Sequence, residues 1–256
     1  MNTKAMISFS FDDGRKDCID AINLARNYGL GVTLYVTTGY IEKNIESVDD
    51  LPSLTEPMKK SDIIKLYDNG VEIGGHGDKH NNNVDNIIIG NRILSSWLGV
   101  NVDGFSSPRS MIDFSCKDRL INEGFKYARV NAFPYKLSII KKVKRKLVSI
   151  LKLKKAYLSL YKEAIDEPIY RGFYIKSIPI LKNTTIEQIV TIIKYAIKHG
   201  KSIVFMFHSV TRDNEHKNDN FTWSFEKYQR LCEYLHNNNG IIPLTVREMF
   251  VDMKEI

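Results

Sequence analysis

The sequence predicts an α/β fold: an irregular (β/α) barrel of seven to eight mostly parallel strands surrounded by helices. Three observations predict it. Short apolar runs alternate with helical patterns along the chain, as in a parallel sheet covered by helices. The alternation repeats seven or eight times, enough to close a ring. A chain of 256 residues, 43% of them hydrophobic, can bury one large core. An open doubly wound sheet is the alternative. A single domain over residues 1–256 is expected, with a basic helical insertion at about 136–162.

The elements follow in order. Ile7–Phe11 reads as a strand, and Asp17–Tyr28 as a helix ended by Gly29, from the spacing of Ile19, Ile22 and Ala25. Val32–Thr37 is β-branched and aromatic, hence a strand. Ser61 can cap a helix that stops at Gly70; Val71–Gly75 is the next strand, and a helix fills much of Asn82–Leu98. Phe105–Ser107 is a short strand. Ser115 can cap a helix to Gly124, and Tyr127–Asn131 is another strand. Beyond the basic segment come strand Phe173–Ile178, helix Ile186–His199, strand Ser202–Phe207, helix Phe225–Asn237, strand Ile241–Leu244 and a last helix. Thr185 with Gln188, and Thr245 with Glu248, have the spacing of capping boxes.

Composition excludes several classes. Cys18, Cys116 and Cys232 form neither a disulfide framework nor a zinc-knuckle pattern, so reduced thiols are expected. No stretch reaches the roughly 20 apolar residues of a membrane span. No signal-peptide pattern opens the chain, so the expected location is cytoplasmic; contact with the inner face of the membrane is one of two readings of the basic segment below. Net charge is +7, but residues 136–162 hold ten Lys or Arg and no Asp or Glu, leaving 27 basic against 30 acidic residues elsewhere. That balance gives no support to nucleic-acid binding across the fold.

Three polar clusters sit just after predicted strands, where α/β barrels carry catalytic groups. The first is Ser10-Phe11-Asp12-Asp13-Gly14. Two adjacent carboxylates can diverge, one binding a metal and the other handling a proton, although Asp-Asp-Gly is also a common turn. The second is His76-Gly77-Asp78-Lys79-His80. Imidazoles four residues apart converge on one ion if the segment makes a helical turn, and two His plus one carboxylate leave positions open for water and substrate. The third is His208, at the end of the apolar run Ile203–Phe207. A lone histidine there is more often structural than catalytic.

Taken together and in this order, Ser-Phe-Asp-Asp-Gly, His-x-x-x-His and a late Phe-His resemble the NodB-type polysaccharide deacetylases over residues 7–208. The resemblance implies an irregular (β/α) barrel and one divalent metal, with zinc the first choice. It implies Asp13, His76 and His80 as metal ligands, Asp12 as general base and His208 as general acid. Gly77 departs from the family's Ser or Thr. The third family motif, Arg-x-Pro-Tyr/Phe-Gly, falls on Ser106-Ser107-Pro108-Arg109-Ser110. By that match the backbone N–H of Arg109 serves the oxyanion, while Ser106 replaces the arginine that orients the base. Arg109, Arg129, Arg171 and Lys176 are the candidates for the missing cation. The fourth motif has no match around Arg171–Ile180.

The resemblance implies hydrolysis of an acetamide on an N-acetylated sugar or glycan, such as a surface-polysaccharide precursor. A non-sugar amide or imide is the second reading, and a non-catalytic carbohydrate-binding protein the third. Within the basic segment, Ile140, Val143, Leu147, Ile150, Leu151, Leu158 and Tyr161 share one side of a helical wheel, and most lysines take the other. One helix over about Lys141–Tyr161 is expected, either lying on an anionic membrane or packing its apolar stripe on the barrel.

Overall fold

A computed structural model describes residues 3–41, 56–110, 113–133, 139–170, 172–212 and 220–251. Arg171 and the start of the basic segment, 136–138, lie outside the described residues. The order is β1 (Ala5–Phe11), α1 (Ile19–Asn27), β2 (Val32–Val36), α2 (Thr38–Ile41), α3 (Lys60–Asp68), β3 (Glu72–Gly75), α4 (Val84–Leu98), β4 (Gly104–Ser106), α5 (Lys117–Asn122) and β5 (Tyr127–Asn131). Then come α6 (Ile139–Ile150), α7 (Lys154–Asp166), β6 (Ile169–Tyr170), β7 (Tyr174–Pro179), α8 (Ile186–His199), β8 (Ser202–Phe207), β9 (Ser209–Thr211), β10 (Thr222–Ser224), α9 (Phe225–His236), β11 (Ile241–Pro243) and α10 (Val246–Phe250).

Seven parallel strands close the barrel in the order β1, β2, β3, β4, β5, β7, β8 and back to β1. The eighth predicted strand, β11, does not enter the ring. It shares one edge of β1 with β2: β11 pairs Ala5–Ile7 and β2 pairs Phe9–Phe11. The wedge is tight, because a Cβ on Gly31 would stand 2.0 Å from the Leu244 carbonyl carbon. The two-residue β6 adds an antiparallel edge to β7.

Two kinds of packing hold the barrel. Outside the ring, Phe9, Phe11 and Phe207 stack with Tyr228 of α9, at ring-centre distances of 5.1–6.0 Å, within the range where aromatic pairs attract beyond simple burial. At the barrel's N-terminal end, Val246, Met249 and Phe250 of α10 pack against Tyr35, Tyr127, Ile175 and Val204. Half-buried Glu72 accepts there from Thr33, Tyr127 and the Arg247 N–H. That end is plugged, which leaves the C-terminal end for a site.

Some details differ from the sequence reading. Helix α3 starts one residue before Ser61, with Asp62 accepting from the Lys59 N–H at 2.8 Å. Ser115 lies in a 3-10 turn, Phe114–Cys116, ahead of α5, and its N–H is taken by Asp113. The basic segment is two helices, broken at Lys152, whose φ of +50° cannot continue a right-handed helix. Both expected capping boxes are present, at Thr185 and Thr245. The three cysteines are free and buried.

Candidate active site

The site begins where β1 ends. The Asp12 N–H bonds to the Phe207 carbonyl at 3.1 Å, so Asp12 still belongs to the sheet. Asp13 and Gly14 then take φ of +76° and +83°. This left-handed pair reverses the chain and separates the two carboxylates, both of which are buried. Asp12 faces Arg129 and His208; Asp13 faces His76 and His80.

His76 follows β3, its N–H bonded to the Val36 carbonyl at 2.9 Å. Its Nδ1 lies 2.8 Å from the Ser106 carbonyl oxygen. A carbonyl only accepts, so Nδ1 carries the proton and Nε2 presents its lone pair. Burial pushes His76 down to about 4, so the ring is neutral at neutral pH. The loop to His80 is not the helical turn the spacing suggested. Gly77 has φ of +75° and His80 +54°. The turn is tied by Thr38 to Asp78 at 2.7 Å and by the Lys79 N–H to Asn86 at 2.8 Å.

Asp13, His76 and His80 each bring a ligand atom, and these atoms lie within 4.8 Å of one another. The two Nε2 atoms stand 3.5 and 3.3 Å from Asp13 Oδ1. A tetrahedral ion with bonds of about 2.0–2.1 Å has ligand–ligand edges of about 3.3–3.4 Å. Oδ1 is buried and has no well-aligned hydrogen-bond donor. A buried, unsatisfied carboxylate oxygen facing two imidazole nitrogens fits a divalent metal.

Each aspartate is partnered by a buried arginine. Arg15 Nε meets Asp13 Oδ2 at 2.8 Å, and its Nη1 donates to Ser209 Oγ at 2.7 Å. This leaves Oδ1 as the oxygen that faces the imidazoles. Arg129 donates from Nη2 to both Asp12 Oδ1 and Ser106 Oγ, and from Nη1 to Ser177 Oγ at 3.2 Å. Burial alone would raise both carboxyls. The neighbouring cations outweigh it, holding Asp12 below its ordinary value and Asp13 well below. Of the four candidates for the missing cation, Arg129 meets Asp12, while Lys176 pairs with Glu163 at 2.6 Å. Arg15 was missed by sequence reasoning. Its signal was slight: a cation two residues beyond the second aspartate, in a loop.

His208 Nε2 is 3.9 Å from Asp12 Oδ2, and its side chain is 16% exposed. Burial pushes its pKa down against the pull of Asp12 and Asp13. Its Nδ1 is buried with no hydrogen-bond partner among the described residues, in keeping with the unmatched fourth motif. Phe221 holds the ring at 4.6 Å instead. Arg109 is exposed on the turn Pro108–Ser110 with φ of +53°. That turn is fastened to the histidine loop by Asn82, which bonds the Pro108 carbonyl at 2.7 Å and the Ser107 hydroxyl at 2.9 Å.

The sequence model of the polysaccharide deacetylase family matches residues 1–127, a stretch that includes Asp12, Asp13, His76, His80 and Arg109. Residues 1–127 belong to the polysaccharide deacetylase family. Solved deacetylases share the fold at low identity. A candidate polysaccharide deacetylase from Mycobacterium smegmatis is 12% identical, with 100% of this chain and 93% of that one covered at a TM-score of 0.61. The Bc1960 peptidoglycan N-acetylglucosamine deacetylase, in complex with 4-naphthalen-1-yl-N-oxidanyl-benzamide, is 16% identical, with 98% of this chain and 90% of that one covered at a TM-score of 0.53. The chain spans about half of the Streptococcus pyogenes deacetylase PplD: the match covers 54% of that protein and 47% of this chain, at 16% identity and a TM-score of 0.40. No curated relative matches the chain.

Proposed function

We propose that this polysaccharide deacetylase homologue hydrolyses the acetamide of an N-acetylated sugar, using one divalent metal, zinc by preference. The observation that carries the reading is the convergence of Asp13, His76 and His80 beside a second buried aspartate, Asp12. Asp13, His76 and His80 hold the metal. When bound, the metal acidifies a water and polarises the acetamide carbonyl.

The chain's own residues supply the rest. Asp12, held ionised by Arg129, takes the proton as water attacks. The carbonyl oxygen gains negative charge, and the backbone N–H of Arg109 donates to it. His208, across from Asp12, protonates the amine as the C–N bond breaks, since an amine anion is a very poor leaving group. Arg15 keeps Asp13 turned so that one oxygen faces the imidazoles.

A second reading, a non-sugar amide as substrate, draws on the departures at Ser106 and at His208 Nδ1. Acetate release decides between them. The purified chain is assayed on a panel of N-acetylated saccharides and on non-sugar amides, with zinc and with a chelator. Chelator-sensitive release from a saccharide supports the first reading. Turnover of non-sugar amides alone supports the second, and none in any arm overturns both.

A further inference from the structure

The face of α6 that looks away from the barrel has no use in the catalytic reading. Helix α6 is held from behind. Val148 is buried at 5% exposure, its carbonyl accepts from Gln188 of α8, and Arg145 lies over the Phe133 ring at 4.5 Å. On the other side Val143 and Leu147 are each 51% exposed, and at the break beyond the helix Leu151 is 59% and Leu153 47% exposed. Val143, Leu147 and Leu151 recur every four residues, so they form one outward stripe. Lys144 and Lys146 are exposed and fall on either side of it. The ten large hydrophobics most exposed among the described residues include four in the span 143–153, a concentration that scattered surface residues do not produce.

We propose that this face docks on an anionic lipid bilayer. Charge complementarity selects the occupant: residues 136–162 carry ten cations and no acid, and an anionic leaflet attracts such a segment. The stripe selects the bilayer over other polyanions. A helix on a membrane sinks its apolar residues between headgroups while flanking lysines reach the phosphates. Against nucleic acid the same valine and leucines would stay in water. The break at Lys152, with φ of +50°, lets Leu151 and Leu153 project without following α7 onto the core, where Tyr157, Tyr161 and Ile165 are buried. Helix α6 follows the C-terminal end of β5, the barrel end that carries Asp12 and His76. The inference does not depend on the catalytic reading.

The test uses the full chain and sedimentation with phosphatidylcholine vesicles, with and without phosphatidylglycerol, whose negative surface potential attracts basic segments. We expect binding to the anionic vesicles only, weakening as salt rises. Lys144→Gln with Lys146→Gln should weaken partitioning about thirtyfold. Val143→Ser with Leu147→Ser should weaken it at low and high salt alike, because that contribution is not electrostatic. Ile121→Ser, the same kind of change on exposed α5, should have no effect. All these positions are exposed, so thermal unfolding should be unchanged and loss of fold is not an alternative explanation. Failure to bind anionic vesicles at low salt overturns the proposal. So does binding that is insensitive to Val143→Ser with Leu147→Ser and is matched by equal affinity for RNA, which would mark a polyanion surface instead.

Discussion

Arg129 reaches across the barrel from β5 to the Asp12 carboxylate at the end of β1, and the same guanidinium nitrogen also binds the hydroxyl of Ser106 on β4. Ser106 stands where the family resemblance expects an arginine. The charge has moved to the neighbouring strand, and Ser106 and Arg129 are direct partners in the β4–β5 register. The short Ser106 on β4 leaves room for the longer Arg129 on β5, and the cation still meets Asp12.

Arg129→Met should abolish turnover and destabilise the fold by ~3–5 kcal/mol, the usual effect of stranding one member of a buried ion pair. The pH dependence should change sign. With Arg129 present, Asp12 sits below its unfolded value, so its contribution to stability is present above that value and is lost as pH falls through the folded pKa. Without Arg129, burial dominates and the carboxyl rises, so its contribution is lost as pH rises. Urea unfolding from pH 3 to 8 reads this directly. Arg129→Lys keeps the charge but not the fork that serves Asp12, Ser106 and Ser177 together, and should recover only part of the activity. An unchanged pH–stability curve in Arg129→Met would rule out the pairing as the setter of Asp12.

Asp12→Asn should remove turnover and leave metal content near that of the parent protein, whereas His76→Ala should remove both. Asp12 faces Arg129 and His208, while His76 Nε2 faces Asp13 Oδ1. Metal analysis of dialysed protein beside acetate release separates the two roles. Equal metal loss in both variants would reverse the assignment of the aspartates.

Arg15→Met should destabilise the metal-free protein by ~3–5 kcal/mol, because Asp13 is then buried without its cation. Added zinc should stabilise this variant more than the parent, since the ion becomes the main positive charge on Asp13. Thermal unfolding with and without zinc measures the difference, and an equal shift in both proteins would show that Arg15 does not act through Asp13.

Gly77→Ser restores the family's usual residue type and should nevertheless be harmful. At φ of +75° any L side chain costs about 1–2 kcal/mol, and the new Cβ would stand 3.0 Å from the Asn81 carbonyl oxygen. The loop would shift and carry His76 and His80 with it. Lower stability and weaker zinc binding are expected. A variant as stable as the parent, with equal zinc affinity, would show that the loop does not need glycine.

The sequence by itself determined the α/β alternation, most strand positions and the three clusters that supply Asp12, Asp13, His76, His80 and His208. Those features are local: apolar periodicity marks each strand, and a polar group just past a strand end is visible in one dimension. Tertiary structure alone decided the ring of seven. Whether Ile241–Pro243 enters it depends on which half of β1 it finds unpaired. It also decided which cation meets Asp12, because Arg129 acts across 117 residues of chain and through the barrel interior. It chose the left-handed turn that brings His80 to His76 where spacing suggested a helix. In the basic segment, periodicity showed an apolar stripe but not its direction. The burial of Val148 against α8 turns Val143 and Leu147 outward, because a helix anchored on one face must expose the opposite one.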